Sequence, residues 1–272
     1  MIDPRRTTLP RPTDRFAIAD LSVSPFCIGM VDDPDTIGAA FDAGINFFFI
    51  SADLHWPRYE ASRAGLARLL VRAPRDQLVV AAACYVTQPE FCSEPFRELL
   101  AAVPCLRVVD VLVAGGAYAT ELADRLPVYV GHRQQRFAGA RAIGVSFHDR
   151  RAAVAAINTG TLDVAFVRYN SAHPGAQRDV FPLLEAARRT RVLGFTSTGG
   201  HHPVTGIDPD VWIPDITDHY RFALSRVGLD GLLCSPTEPR HVDELVGAME
   251  RGPLSLEEEE HMIELAAMTN DA

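Results

Sequence analysis

A parallel (β/α)8 TIM barrel with an N-terminal β-hairpin and an extra C-terminal helix is the fold this sequence predicts. Three observations predict it. Eight short, near-continuously apolar runs recur along the 272 residues. Amphipathic segments with helical spacing lie between them. About 250 residues is the usual length for eight strand–helix units. Runs without polar alternation suit strands buried on both faces, as parallel strands inside a ring of helices are. A doubly wound open sheet is the competing architecture. It needs a Gly-rich phosphate turn after its first strand, and the GMVDDPD found there is not one. The whole chain, 1–272, reads as one domain.

The elements follow in order. Residues 8–24 hold a ThrThrLeu run and the run PheAlaIleAlaAspLeuSerVal, the material of a small hairpin. Barrel strands are expected over 25–30, 45–50, 78–83, 108–114, 140–146, 163–168, 192–197 and 230–235. The first helical pattern, DPDTIGAAFDAG, opens with an Asp cap and stops at Gly44. Similar patterns span 59–73, 93–103, 148–160, 176–189, 215–228 and 238–252. None is assigned between the fourth and fifth strands. LSLEEEEHMIELAAM, 254–268, is the additional C-terminal helix.

Composition narrows the function classes. The formal net charge is −9, and the Arg188, Arg189 and Arg191 cluster reads as solvated helix ends, so no nucleic-acid surface is expected. No apolar run reaches the roughly 20 residues of a membrane span, and the first residues lack the apolar centre of a signal peptide, so a cytoplasmic protein is expected. The five cysteines form no CxxC pair and read as buried free thiols. All 26 basic residues counted as Lys and Arg are arginine. Chemistry that needs a lysine acid, base or Schiff base is therefore closed to this chain.

In such a barrel the reactive groups sit at the C-terminal ends of the strands. Ser51, Asp53, His55 and Tyr59 follow the second strand, and Cys84 and Tyr85 the third. Gly115 and Gly116 follow the fourth, and Ser146 and His148 the fifth. Tyr169, Asn170 and His173 follow the sixth, and Thr196, Ser197 and Thr198 the seventh. Ser235 and Thr237 follow the eighth. The rim is rich in His and hydroxyl groups. In an extended segment Asp53 and His55 would face one way, and an Asp that orients a His suits acid–base work. A turn-forming Asp beside a half-buried His explains the pair equally well. Asp53, His55, His148, Tyr169 and His173 are the candidate catalytic set. A metal site built from His148, His173 and the His201–His202 pair is the weaker reading, because adjacent histidines point apart and no carboxylate joins them. No metal is expected.

These segments resemble the aldo-keto reductase superfamily. LSVSPFCIGM is similar to its passage from hairpin to first strand, and DTIGAAFDAGINFF to its first helix and second strand. RAIGVSFHD, DVAFVRYN and the stretch from DHYRFALSRVG to GPLSLEE follow in the family's order. The resemblance implies a barrel that reduces carbonyls with NADPH or NADH. It also implies a catalytic Asp, Tyr, Lys and His, which this sequence does not match. The Asp and Tyr positions fall on Phe49 and Leu54 without a gap, or on Ile50 and His55 with one. The Lys position is Cys84 and the His position Gly115. His55 is the candidate substitute acid.

For the cofactor, the resemblance implies contacts from Ser146, Phe195, Ser197, Ser235, Thr237 and Arg240. Phe147, Phe166 and Leu245 replace family polar residues, and Glu238 opposes a 2′-phosphate. The leading expectation is a bacterial biosynthetic enzyme of secondary metabolism with altered chemistry, acting on a small-molecule substrate. That chemistry is either NAD(P)H-dependent reduction with a substitute acid or a non-redox step. The alternative is a non-catalytic pseudoenzyme that binds a metabolite or assists a pathway partner enzyme.

Overall fold

The computed structural model describes residues 5–201 and 211–270, the side chains of 269 and 270 excepted. A two-stranded antiparallel hairpin, β1 (Phe16–Ile18) and β2 (Leu21–Val23), precedes the barrel. It is shorter than expected, and the ThrThrLeu run lies outside it. Eight parallel strands then close on themselves: β3 (Phe26–Ile28), β4 (Phe47–Ser51), β5 (Val79–Cys84), β6 (Val111–Ala117), β7 (Ala142–Phe147), β8 (Val164–Arg168), β9 (Arg191–Phe195) and β10 (Gly231–Cys234). Each pairs with its neighbours in sequence, and β10 pairs with β3 to complete the ring. Every residue of β3, β4 and β5 is buried, as their apolar runs require.

The helices are α1 (Asp35–Asp42), α2 (Glu60–Arg72), α3 (Glu94–Ala102), α4 (Ala119–Gln134), α5 (Arg150–Asn158), α6 (Ala176–Asp179), α7 (Asp218–Leu224), α8 (Pro239–Glu250) and the additional α9 (Leu256–Asn270). Gly44, at φ +97°, lets the chain leave α1 and turn into β4. Asp149 caps α5, accepting from the amides of Arg151 at 2.8 Å and Ala152 at 3.2 Å.

Two helices differ from the sequence reading. α4 was not expected, because Pro127 and Gly131 interrupt its pattern; the structure keeps Pro127 inside a 16-residue helix. The helix expected over 176–189 ends at Asp179. Pro182 has no amide proton to continue it, and the chain passes through a 3-10 turn at Phe181–Leu183.

A fourfold device organises the N-terminal face of the barrel. Asn46, Asp110, Asp163 and Asp230 stand immediately before β4, β6, β8 and β10. Each side-chain oxygen accepts a backbone N–H from the preceding strand or its approach: Ser24 at 2.8 Å, Val80 at 2.8 Å, Ile143 at 2.9 Å and Val192 at 2.8 Å. Arginines clamp the three aspartates: Arg75 on Asp110 at 2.7 Å, Arg133 on Asp163 at 2.8 Å, and Arg188 and Arg191 on Asp230. Arg188 and Arg191 are thus not the solvated helix ends expected. Arg191 opens β9, and both neutralise an aspartate beneath the barrel.

All five cysteines are free thiols, and Cys105 alone of them is exposed. Among the described residues no helix is long and apolar enough to cross a membrane.

Candidate active site

The C-terminal ends of the strands surround a cavity of about 400 Å³. Phe49 and Phe166 form its floor, meeting edge to face at 5.4 Å. His55, Tyr85, Ser146, Ser197 and Ser235 supply its polar groups. His148 and Phe195 also line it. The cavity therefore gathers residues from six strands and the loops after them, which sequence alone could only list separately.

Asp53 and His55 are not the extended pair expected. Residues 52–55 bend into a turn that leads to a 3-10 helix at Trp56–Tyr59. The Asp53 carboxylate is taken by backbone: Oδ1 accepts from the Leu54 amide at 2.6 Å, and Oδ2 from the Tyr85 and Val86 amides at 2.7 and 3.2 Å. Asp53 thereby ties the β4 loop to the start of the β5 loop. It acts on Tyr85, by holding its backbone, and not on the His55 ring.

Tyr85 is the residue the sequence reading passed over. Its ring meets His55 edge-on at 5.2 Å. A Cβ added at Gly115 would lie 2.7 Å from that ring, so the phenol occupies space that only glycine leaves open. The signal was the Gly115–Gly116 pair, which reads as an empty rim until the side chain filling it is known. Burial, and then the nearby Asp53 carboxylate, push the Tyr85 phenol above its ordinary pKa and keep it protonated. Below it, the buried Arg125 guanidinium donates to the carbonyls of Gly115 at 3.1 Å and Cys84 at 2.7 Å. Arg125 comes from α4 and fixes the two strand ends that carry Tyr85 and Gly115. The missed helix hid this residue as well.

The other candidates divide. His148 lines the cavity, stacked on Tyr118 at 5.9 Å and edge-on to Phe195 at 6.3 Å. Tyr169 does not reach the cavity: it is fully buried, stacks on Phe222 at 5.3 Å, and its hydroxyl accepts from Gln177 at 2.5 Å. It is a core residue whose phenol burial pushes upward. His173 lies in a neighbouring groove, bonded through its amide and Nδ1 to Asn170 Oδ1 at 2.8 and 3.2 Å.

The expected cofactor residues divide in the same way. Ser146, Phe195, Ser197 and Ser235 share the cavity. Ser197 Oγ is buried there without a hydrogen-bond partner among the described residues, just after Thr196 at φ +54°, an uncommon conformation for a β-branched residue. Thr237 and Arg240 lie outside the cavity. Thr237 Oγ1 bonds His241 Nδ1 at 2.9 Å, and the exposed Arg240 pairs with Glu238 and Glu244. His201 packs edge-on against His219 at 5.4 Å, while His202 lies outside the described residues. Among the described residues, no group of three His, Cys, Asp or Glu side chains is placed to hold a metal ion.

No family model and no curated protein matches the sequence. Solved structures do match. An aldo-keto reductase from Bacillus halodurans, in its holo form, superposes with a TM-score of 0.72 at 13% identity, covering 96% of each chain. The glycerol dehydrogenase of Gluconobacter oxydans gives 0.67 at 14% identity, covering 96% of this chain and 95% of that one. A Bombyx mori aldo-keto reductase in complex with NADP gives 0.64 at 15%, covering 93% and 92%.

The fold is that of the aldo-keto reductases. Phe49 and His55 both line the cavity. Leu54 is 66% exposed and takes no part. Cys84 is buried at the end of β5. Cys92 lies against it and has its thiol pKa lowered, chiefly by their hydrogen bond and then by Arg125.

Proposed function

We propose that this chain is an NAD(P)H-dependent oxidoreductase that reduces a carbonyl substrate, with His55 as proton donor. One observation carries the reading: His55, Tyr85, Ser146, Phe195, Ser197 and Ser235 converge on one cavity at the catalytic face of the barrel. The buried Ser197 Oγ, which has no hydrogen-bond partner among the described residues, is what a site awaiting a polar ligand group would contain. Ser146, Ser197 and Ser235 would hold the nicotinamide nucleotide, with Phe195 as its stacking surface. That cofactor, when bound, supplies a hydride to the carbonyl carbon.

The chain's own task is to give the carbonyl oxygen a proton. An imidazole can serve as a general acid. Tyr85, kept protonated by burial, orients His55 and can donate a hydrogen bond to the same oxygen. Phe49 and Phe166 exclude water from the floor. Arg240 is already neutralised by Glu238 and Glu244, so the reading does not favour NADPH over NADH. A dedicated biosynthetic substrate and a cytoplasmic setting belong to the same proposal.

Titrating the purified protein with NADH and NADPH by fluorescence tests it. Binding of at least one is expected, and no binding of either at about 1 mM sinks the redox reading. His55→Gln should lower kcat by roughly 10²–10⁴-fold while cofactor still binds. Binding without any turnover in the wild type would favour the pseudoenzyme reading. The loss of every lysine from the site is the observation that supports that alternative.

A further inference from the structure

Beside the central cavity lies a second, larger space of about 710 Å³. It opens between the ends of β7 and β8, the start of α5 and the end of α6. Four arginines line it, Arg150, Arg151, Arg168 and Arg178, against two carboxylates, Asp149 and Asp179. Two positive charges are left over, in a chain whose formal net charge is −9.

The carboxylates are already engaged. Asp149 Oδ1 caps α5, accepting from the Arg151 and Ala152 amides. Asp179 takes Arg150 at 2.8 Å and Arg178 at 2.7 Å. The Arg150 guanidinium is held in place over Gly175, where an added Cβ would come within 2.3 Å of it. Arg168 and Arg151 have no carboxylate partner among the described residues. His173 gives its Nδ1 proton to Asn170 Oδ1, which accepts only, so the neutral ring leaves Nε2 unpartnered among the described residues. Burial, and then Arg168 and Arg150, lower the His173 pKa and favour that neutral ring.

His148 lines both this groove and the central cavity. We infer that the substrate carries an anionic group, held in this groove by Arg168 and Arg151, while its carbonyl passes His148 into the central cavity. The planar guanidinium fork matches both carboxylate and phosphate. The groove lies between β7 and β8, whereas Glu238, which the resemblance sets against a cofactor 2′-phosphate, and its partner Arg240 lie beyond β10. The anion is therefore the substrate's and not the cofactor's. The carbonyl half of this inference rests on the reductase reading; the anion half rests on the groove alone.

The test has two readouts on the full chain. First, calorimetry with inorganic phosphate and with benzoate, without cofactor, asks whether the groove binds an anion. Binding of either at ~10 mM or below, lost in Arg168→Gln and in Arg151→Gln, supports it; which anion binds identifies the group. Second, with cofactor present, 4-carboxybenzaldehyde is compared with its methyl ester. The acid should be preferred by about tenfold or more in kcat/KM, and the preference should collapse towards one in both variants. If no carbonyl is reduced but anion binding is lost in the variants, the reductase reading falls and the groove stands. If both aldehydes are reduced equally and neither anion binds, the groove falls and the reductase reading stands.

Discussion

Tyr85 and Gly115 fit together as a pair. The ring lies where a side chain at 115 would begin, so Gly115→Ala forces either the ring or the strand to move. Overpacking of this kind destabilises by about 1–3 kcal/mol. In Tyr85→Ala/Gly115→Ala the added methyl meets no ring, and urea unfolding should show the two changes to be strongly non-additive. Additive losses would mean that Tyr85 does not fill this space. His173 gives a prediction in pH. Its folded-state pKa is lowered by burial, and then by Arg168 and Arg150. The neutral ring's contribution to stability is therefore full above the unfolded His value of about 6.5 and is lost as pH falls through that value towards the folded one. Arg168→Gln removes one cationic neighbour, so the His173 resonance should titrate at higher pH by NMR. An unchanged titration would separate the two side chains electrostatically.

At the scale of elements, α4 departs furthest from its sequence. Pro127 sits on an exposed face of the helix, where it removes an amide donor and crowds the preceding turn. Its helix nevertheless forms, because Leu122, Arg125 and Tyr129 are buried against the barrel and Arg125 bonds two strand ends. Tertiary packing overrides local propensity here. Pro127→Ala should therefore raise unfolding free energy by about 1–3 kcal/mol, read from denaturant midpoints, with the cavity unchanged. The segment after β8 shows the opposite outcome. There Pro182 prevails, and the chain continues as turns. The difference is burial: α4 has a buried arginine to satisfy, while 184–189 is largely exposed. The early break leaves α6 four residues long, with Arg178 and Asp179 at its end beside the basic groove.

Over the whole molecule, the four-membered set of Asn46, Asp110, Asp163 and Asp230 stabilises one face of the barrel and leaves the other free for chemistry. Asp110 is nearly buried, accepts from Val80 and holds Arg75. Asp110→Ala would leave that guanidinium without its partner and should cost about 3–5 kcal/mol in thermal or chemical unfolding. Asn46→Ala, which strands no charge, should cost about 1–3 kcal/mol. Equal losses would show that the arginine clamp contributes nothing beyond the hydrogen bond.

The sequence by itself determined the barrel. Runs such as INFFFI and LVVAAA are buried wherever they pair, and their order leaves one way to close a parallel ring. It also determined that no lysine serves this site, and it put His55, His148 and the three serines at strand ends. Only the tertiary structure decided which strand ends share a cavity. That depends on side-chain direction and on residues far apart in sequence: Tyr85 rests on Gly115, Arg125 reaches both their strands, and Asp53 turns to backbone amides. Tyr169 shows the same limit from the other side. Its position at the end of β8 is legible, but its burial against Phe222 follows from the packing of α7, seven buried residues that no local pattern ties to it. Local pattern fixes which faces are apolar; the facing partner, and so the chemistry, is fixed only when the ring closes.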